Sequence, residues 1–245
     1  MKYDLAVTSC RRNDLLKITL ESFKKYADVA PENVYVIEDS ENLSVADVVR
    51  SIYPDATVIN NIPQLGQMRS IQKLYGYCKS EFVFHCEDDW EFFRAGFIKE
   101  SLQLLRLHRQ ASLVSLRPRS ELNPLEKKQP KLSTDDGLEY FLTDPNAHPE
   151  WFSYSFNPGL RRLNDLDMIG EIDQYPSESE VSLAFKQKGF YFAFLEEPAV
   201  RHIGGGRHVN DPTRPPKAKT FRQRMTRSIR KRLDRFRRRL VAKKD

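Results

Sequence analysis

The 245-residue chain has no run of 18 apolar residues, so no segment has the length and apolarity of a membrane-spanning helix. Its three cysteines, Cys10, Cys78 and Cys86, are odd in number and show no C-x-x-C spacing. That argues against a disulfide scaffold or a thiolate zinc site. They read as reduced, mostly buried thiols of a cytosolic protein. No G-x-G-x-x-G follows the first strand pattern, and no G-x-x-x-x-G-K-[ST] occurs anywhere. Dinucleotide and P-loop phosphate binding therefore lack sequence support. The first five residues, MKYDL, lead straight into a strand pattern without the apolar core of a secretion signal, which adds to the cytoplasmic expectation.

Positive charge is in excess, and it is unevenly placed. The net charge is +6, but residues 217–245 hold fourteen Lys and Arg against Asp234 and Asp245, leaving 26 basic and 32 acidic residues in the rest. A mildly acidic body thus precedes a strongly basic tail, with a proline-rich linker between them. In the tail Phe221, Met225, Ile229, Leu233, Phe236 and Leu240 recur at spacings of three and four. One apolar stripe on an otherwise basic helix predicts a segment lying in an anionic membrane interface. Docking of the stripe on the body is the plainer alternative. Nucleic acid is the less favoured partner, because phosphate contacts need no stripe. The expected division is a domain over 1–210 and a linker with a basic amphipathic helix over 211–245.

In the body, short apolar runs at 4–9, 34–37, 56–59 and 82–84 alternate with helical patterns at 14–25, 45–52 and 68–78. Strand and helix in strict alternation predict an α/β fold, a mostly parallel central sheet flanked by helices. Three of the strands end in polar residues: Thr8 and Ser9, then Glu38, Asp39 and Ser40, then Glu87, Asp88 and Asp89. Ligands of open parallel sheets bind beyond such carboxyl ends, so these groups would share one rim with Arg11 and Arg12 of the first turn. Three adjacent carboxylates at a partly desolvated strand end call for a positive partner. A hard divalent cation is one, because it prefers carboxylate oxygens and leaves positions open for phosphate. A solvated acidic turn is the other reading. Arginine forks suit phosphate, unless Arg11 and Arg12 are only surface charge.

A helix over 97–108 and a strand over 113–116 follow. The proline-bearing stretch 117–137 reads as an unstructured, mobile loop or lid. The aromatic-rich stretch 140–156 reads mainly as core, with a flat platform for a ligand as the alternative. Ser177 and Glu180 have capping-box spacing ahead of a helix, which gives Glu180 a structural role and leaves Glu178 without one. His202 precedes three glycines, Gly204, Gly205 and Gly206. These permit close backbone approach to an anion, and the histidine is a metal ligand or a structural residue.

The order of these motifs over 4–208 resembles a GT-A-fold glycosyltransferase, most similar to family 2. The carriers are the Val7–Leu16 turn, Val36 to Ser40, Phe84 to Trp90 with its Glu-Asp-Asp form of the DXD motif, Ser177 to Glu180, and Val200 to His202. The resemblance implies a metal-dependent, inverting transfer of a sugar from a nucleotide-diphosphate donor, UDP-sugar favoured, to a glycan or lipid-linked hydroxyl. It implies that Thr8, Ser9, Arg11, Asp39, Arg69 and Asp88 hold the donor. Glu87, Asp89 and His202 are implied to bind Mn²⁺ or Mg²⁺, and Glu178, or Glu180 in competition, is implied to activate the acceptor. Glu178 departs from the family's usual aspartate. The absence of a Gln-x-x-Arg-Trp motif argues against processive chain synthesis. The competing expectations are a sugar-phosphate nucleotidyltransferase, and a non-catalytic membrane- or RNA-binding protein on the same scaffold. The expected location is cytoplasmic, peripheral on the inner face of the membrane.

Overall fold

The computed structural model describes residues 2–213 and Met225. The early apolar runs become parallel neighbours. β1 (Tyr3–Ser9) lies between β2 (Asn33–Glu38) and β4 (Phe82–Glu87), and β3 (Thr57–Asn60) adds outside β2. Helices α1 (Asn13–Tyr26), α2 (Val45–Ile52) and α3 (Gln67–Tyr75) make the crossovers, as parallel pairing requires. Val7, Val36, Ile37, Val83 and Phe84 are each fully buried. Both faces of these strands are covered, which is why they read as continuous apolar runs and not as alternating patterns.

The second half adds β5 (Trp90–Phe92), α4 (Phe97–Leu107), β6 (Ala111–Ser115), α5 (Pro124–Lys127), β7 (Leu132–Ser133), β8 (Glu139–Leu142), β9 (Gly159–Arg162), α6 (Glu178–Gln187), β10 (Tyr191–Leu195) and β11 (Val200–His202). The main sheet has the order β3-β2-β1-β4-β9-β6-β10-β8-β7, and β11 pairs with β5 in a separate ribbon. Antiparallel pairing reverses β9 and β8 against their neighbours, while the remaining strands share one direction. The α/β class with a mostly parallel sheet is as the sequence predicts.

Strand β9 has no counterpart in the sequence reading. It enters the middle of the sheet between β4 and β6 although it carries Arg161 and Arg162, both buried. Gly159 opens it at a point where a Cβ would come 2.3 Å from the Val114 carbonyl oxygen, so only glycine lets the two backbones approach there. The Arg161 guanidinium donates to the carbonyls of the preceding turn and to Tyr75 and Tyr154, whereas Arg162 reaches carbonyls from a distant part of the chain. Arg162 donates to the carbonyls of Leu105, Arg109 and Ala111 at 2.7, 2.6 and 2.7 Å, and pairs with Asp165 at 2.9 Å.

Two local expectations are corrected, and a third, the aromatic core over 140–156, holds. The stretch 117–137 is not unstructured. It holds a 3₁₀ turn, α5 and β7, and Arg119 ties it to Glu196 and to the carbonyls of Lys127 and Gln129. A capping box does form, but at Asn123 and Glu126 of α5. At α6 the Ser177 hydroxyl pairs with Ser179 at 3.0 Å and makes no cap bond. In the aromatic stretch Tyr140, Phe141, Phe152, Tyr154 and Phe156 are core, while Trp151 is half-buried.

Beneath the acidic turn the rings of Phe23, Phe84, Phe92 and Phe97 pack as one cluster, with Phe23 5.0 Å from both Phe84 and Phe92. Burying a side chain of this size stabilises by roughly 1.5–3 kcal/mol, and here it fixes the floor on which the acids stand. One compact unit spans Met1–Val209, and Asn210–Asp245 forms a second. The basic helix predicted over 217–245 lies outside the described residues, apart from Met225, which is helical and exposed. Among the described residues no helix is long and apolar enough to cross a membrane.

Candidate active site

β1, β2 and β4 end side by side, with Thr8 opposite both Ile37 and Glu87, and Ser9 opposite Glu38. The chain leaves β4 at Glu87, turns through Asp88 and Asp89, and continues as β5. β5 pairs antiparallel with β11 in a register that sets His202 against Trp90. That pairing brings a residue from far along the chain to the acids. His202 Nε2 lies 3.3 Å from Asp89 Oδ2, and the imidazole packs on the Trp90 ring at 5.0 Å. The Ile203 N–H donates to the Asp89 carbonyl at 2.9 Å. Gly204 is so close that a Cβ would fall 2.3 Å from Asp89 Oδ2; the first of the three glycines is therefore required by contact with the acid.

Asp88 is buried and fully engaged. It accepts from Ser9 Oγ at 3.1 Å, from the Cys10 N–H at 3.2 Å, and from the Arg12 guanidinium on both oxygens. Arg12 also donates to Asp89 Oδ2 at 2.6 Å. The remaining oxygen, Asp89 Oδ1, is buried with no hydrogen-bond partner. Leaving a carboxylate oxygen so is costly unless something positive meets it. One guanidinium does not balance three carboxylates. Burial, then Asp89, Glu178 and Asp88, pushes the Glu87 carboxyl up to about 8; a cation bound beside it would favour the ionised form again. Among the described residues no three His, Cys, Asp or Glu side chains make a ready metal cage. Glu87 turns to Gln67, whose side-chain amide donates to it at 3.1 Å, so Glu87, Asp89 and His202 do not converge as a set. Asp89 with its orphaned oxygen, and His202 beside it, do fit a hard cation completed by phosphate oxygens, the usual arrangement for Mg²⁺ with a nucleotide.

The residues expected to hold a donor divide. Ser9 and Asp88 meet directly, and Thr8 stands half-buried on the same rim. Arg11 is exposed with φ 58°, and its N–H donates to Glu38 at 2.8 Å. Asp39 is taken up by the loop ahead of α3, accepting from Asn61 Nδ2 at 3.0 Å and from the N–H groups of Leu65 and Gly66 at 2.7 and 2.8 Å. Arg69 is exposed on the first turn of α3. Two rim residues that the resemblance assigned no role come forward. Arg12, and not Arg11, grips the acids. Glu38 is fully buried with Oε2 unpartnered; its place in the polar end of β2 was the available signal.

Glu178, whose charge is felt at Glu87, opens α6. Its Oε1 accepts from Ser155 Oγ at 2.8 Å and from the Phe156 N–H at 3.0 Å. Glu178 lines a cavity of about 270 Å³ together with Arg117, Asn123, Trp151, Tyr154 and Asn157. Glu180 is half-buried and is not part of that lining. A held carboxylate with an aromatic surface thus acts on Glu87, and a histidine and an arginine meet Asp89.

No protein-family model matches the sequence, and no curated protein matches it. Solved structures do match in fold. Staphylococcus aureus TarS superposes with a TM-score of 0.57 at 13% identity over 82% of this chain and 36% of its own. The mannosyltransferase PcManGT from Pyrobaculum calidifontis, in complex with GDP-Man and Mn²⁺, gives 0.57 at 11% identity over 80% of this chain and 55% of its own. GalNAc-T7 with UDP, GalNAc and Mn²⁺ gives 0.59 at 14% identity over 89% and 46%. The chain therefore has a GT-A-like glycosyltransferase fold. It spans 36%, 55% and 46% of the lengths of these three chains.

Proposed function

We propose that the protein is a metal-dependent, inverting glycosyltransferase of the family-2 type, moving a hexose from a nucleotide-diphosphate donor, UDP-sugar favoured, to a hydroxyl of a glycan or lipid-linked acceptor. The observation that carries this reading is Asp89. It has one buried oxygen without a partner and the other against His202 and Arg12, at the carboxyl edge of a sheet shaped like those of structures solved with UDP or GDP-Man and Mn²⁺. Asp89 and His202 would hold Mn²⁺ or Mg²⁺, with Glu87 and Asp88 contributing charge around it. When bound, such an ion neutralises charge on the departing diphosphate and orients it. Thr8, Ser9 and the backbone of the Cys10–Arg12 turn would line the donor. Asp39 would act on the nucleoside through the loop it fixes, with Arg11 and Arg69 at the exposed margin.

Glu178 takes the acceptor's hydroxyl proton as the oxygen attacks the anomeric carbon. The new C–O bond forms while the bond to the diphosphate oxygen breaks, and one displacement inverts the centre. Glu178 is preferred over Glu180 because only Glu178 lines the cavity and acts on the Glu87 charge. Trp151 offers that cavity an apolar face for a sugar ring. The test is hydrolysis of a panel of nucleotide sugars with Mn²⁺. Turnover by the intact protein that disappears in Asp89→Ala is the expected result; equal turnover in both proteins would remove Asp89 from the donor site.

The tail belongs to the same reading. Its basic amphipathic pattern over 217–245 suits the anionic inner face of a cytoplasmic membrane, where a lipid-linked acceptor is presented. Flotation with anionic vesicles should retain the full chain and lose a chain ending at 216. Equal flotation of the two would place the membrane contact elsewhere.

A further inference from the structure

Arg12 occupies an unusual place for a cation-binding turn. Its guanidinium meets both oxygens of Asp88 and one of Asp89, with Nε 3.2 Å from Asp88 Oδ2 and Nη1 2.6 Å from Asp89 Oδ2. Nη1 also reaches the Arg207 carbonyl at 3.3 Å. Arg207 in turn pairs with Asp14 at the start of α1. One side chain thus joins the first turn, the acidic turn and the glycine-rich segment after β11.

The two aspartates are engaged differently. Asp88 has further donors from Ser9 and Cys10, so it is a satisfied anchor. Asp89 keeps a buried oxygen with no partner, and its other oxygen is shared between Arg12 and His202. A dication arriving alone would meet a guanidinium already in contact with its best ligand, and in a partly desolvated site that repulsion is poorly screened. A nucleoside diphosphate changes the balance. Its oxygens match the guanidinium fork as well as a carboxylate does, so Arg12 can turn from Asp89 to phosphate while Asp88 still anchors it.

We propose that Arg12 is the resident counter-cation of the acidic turn and makes metal binding conditional on the donor diphosphate: it withholds Asp89 from the metal until phosphate arrives. The proposal rests on the donor-site reading above. Arg12 is a positioning residue in it, and linkage requires that metal and diphosphate then strengthen each other's binding by the same factor.

The experiment measures free Mn²⁺ by its paramagnetic signal during titration of the full chain, of Arg12→Gln and of Arg12→Lys, each with and without UDP. The intact protein should retain Mn²⁺ at least tenfold more tightly with UDP than without. Arg12→Gln should bind Mn²⁺ alone at least tenfold more tightly than the intact protein does, and the added Asp89→Asn change should abolish that gain. Arg12→Lys, which keeps the charge but cannot span both acids, should fall between. It also keeps the test decisive if the glutamine variant does not fold. Equal Mn²⁺ affinity in the intact and variant proteins, with UDP-dependent binding preserved, overturns the role of Arg12 and leaves the donor site standing. Absence of Mn²⁺ binding to any of the proteins, with or without UDP, overturns both.

Discussion

Glu178→Gln should lower kcat for sugar transfer by about 10²–10⁴-fold, the usual worth of a positioned general base, while leaving the affinity for the nucleotide diphosphate unchanged. The substitution is close to isosteric. The Ser155 hydroxyl and the Phe156 N–H both donate to Oε1, and an amide oxygen can accept the same two bonds. What is lost is the second oxygen's ability to take a proton. Glu180→Gln is the control. It shares the first turn of α6 but not the cavity, and it should change kcat by only a few-fold. Steady-state kinetics with separate titration of nucleotide binding checks the pair. A larger loss at Glu180 than at Glu178 would exchange their roles.

The second large effect is on stability. Arg161→Met should destabilise the fold by about 3 kcal/mol, the order set by stripping a buried network of its donors, or a fall in Tm of about 6–12 °C for a chain of this size. The Arg161 side chain is fully buried. It donates to the Tyr154 and Tyr75 hydroxyls at 2.9 and 3.2 Å and to the carbonyls of Ser155, Asn157 and Gly159 at 3.1, 3.1 and 3.4 Å. Methionine replaces the aliphatic stem but satisfies none of these groups, and each buried carbonyl left alone costs about 1–3 kcal/mol. Release from burying the charge offsets part of this, which is why the expected loss is below the sum. Urea unfolding with an unchanged slope measures it. A loss under about 1 kcal/mol would show that the loop keeps its shape without the guanidinium. Because Ser155 and Phe156 carry the donors to Glu178, the variant should also lose part of its kcat at temperatures where it is folded.

The first half of the fold was legible because each element is locally consistent. Val34–Ile37 and Phe82–Phe84 are apolar with β-branched or aromatic residues, and α1 repeats Leu15, Leu16, Leu20 and Phe23 on one face. The polar strand ends announced the rim, and the meeting of Asp89 with His202 was anticipated. What failed was non-local. β9 left no strand pattern because its two arginines break the apolar run, and the carbonyls that satisfy Arg162 lie 51 to 57 residues away at Leu105, Arg109 and Ala111. Arg11 and Arg12 are neighbours of one type, and only the left-handed turn at Arg11 decides which of them faces the acids. Asp39 looked free because the N–H groups that consume it come from the loop ahead of α3. The expected cap at Ser177 satisfied a spacing rule that a second serine, Ser179, defeats in practice.

In the proposed enzyme the β4 turn, the β1 turn and His202 surround one cation-and-diphosphate site. Crystals of the full chain grown with UDP and Mn²⁺ test it most directly, through the anomalous signal of manganese. The expected result is a single Mn²⁺ bonded to the Asp89 carboxylate and to the diphosphate, with the nucleotide over Thr8 and Ser9. Manganese and nucleotide found together at a site away from Asp89 would contradict it.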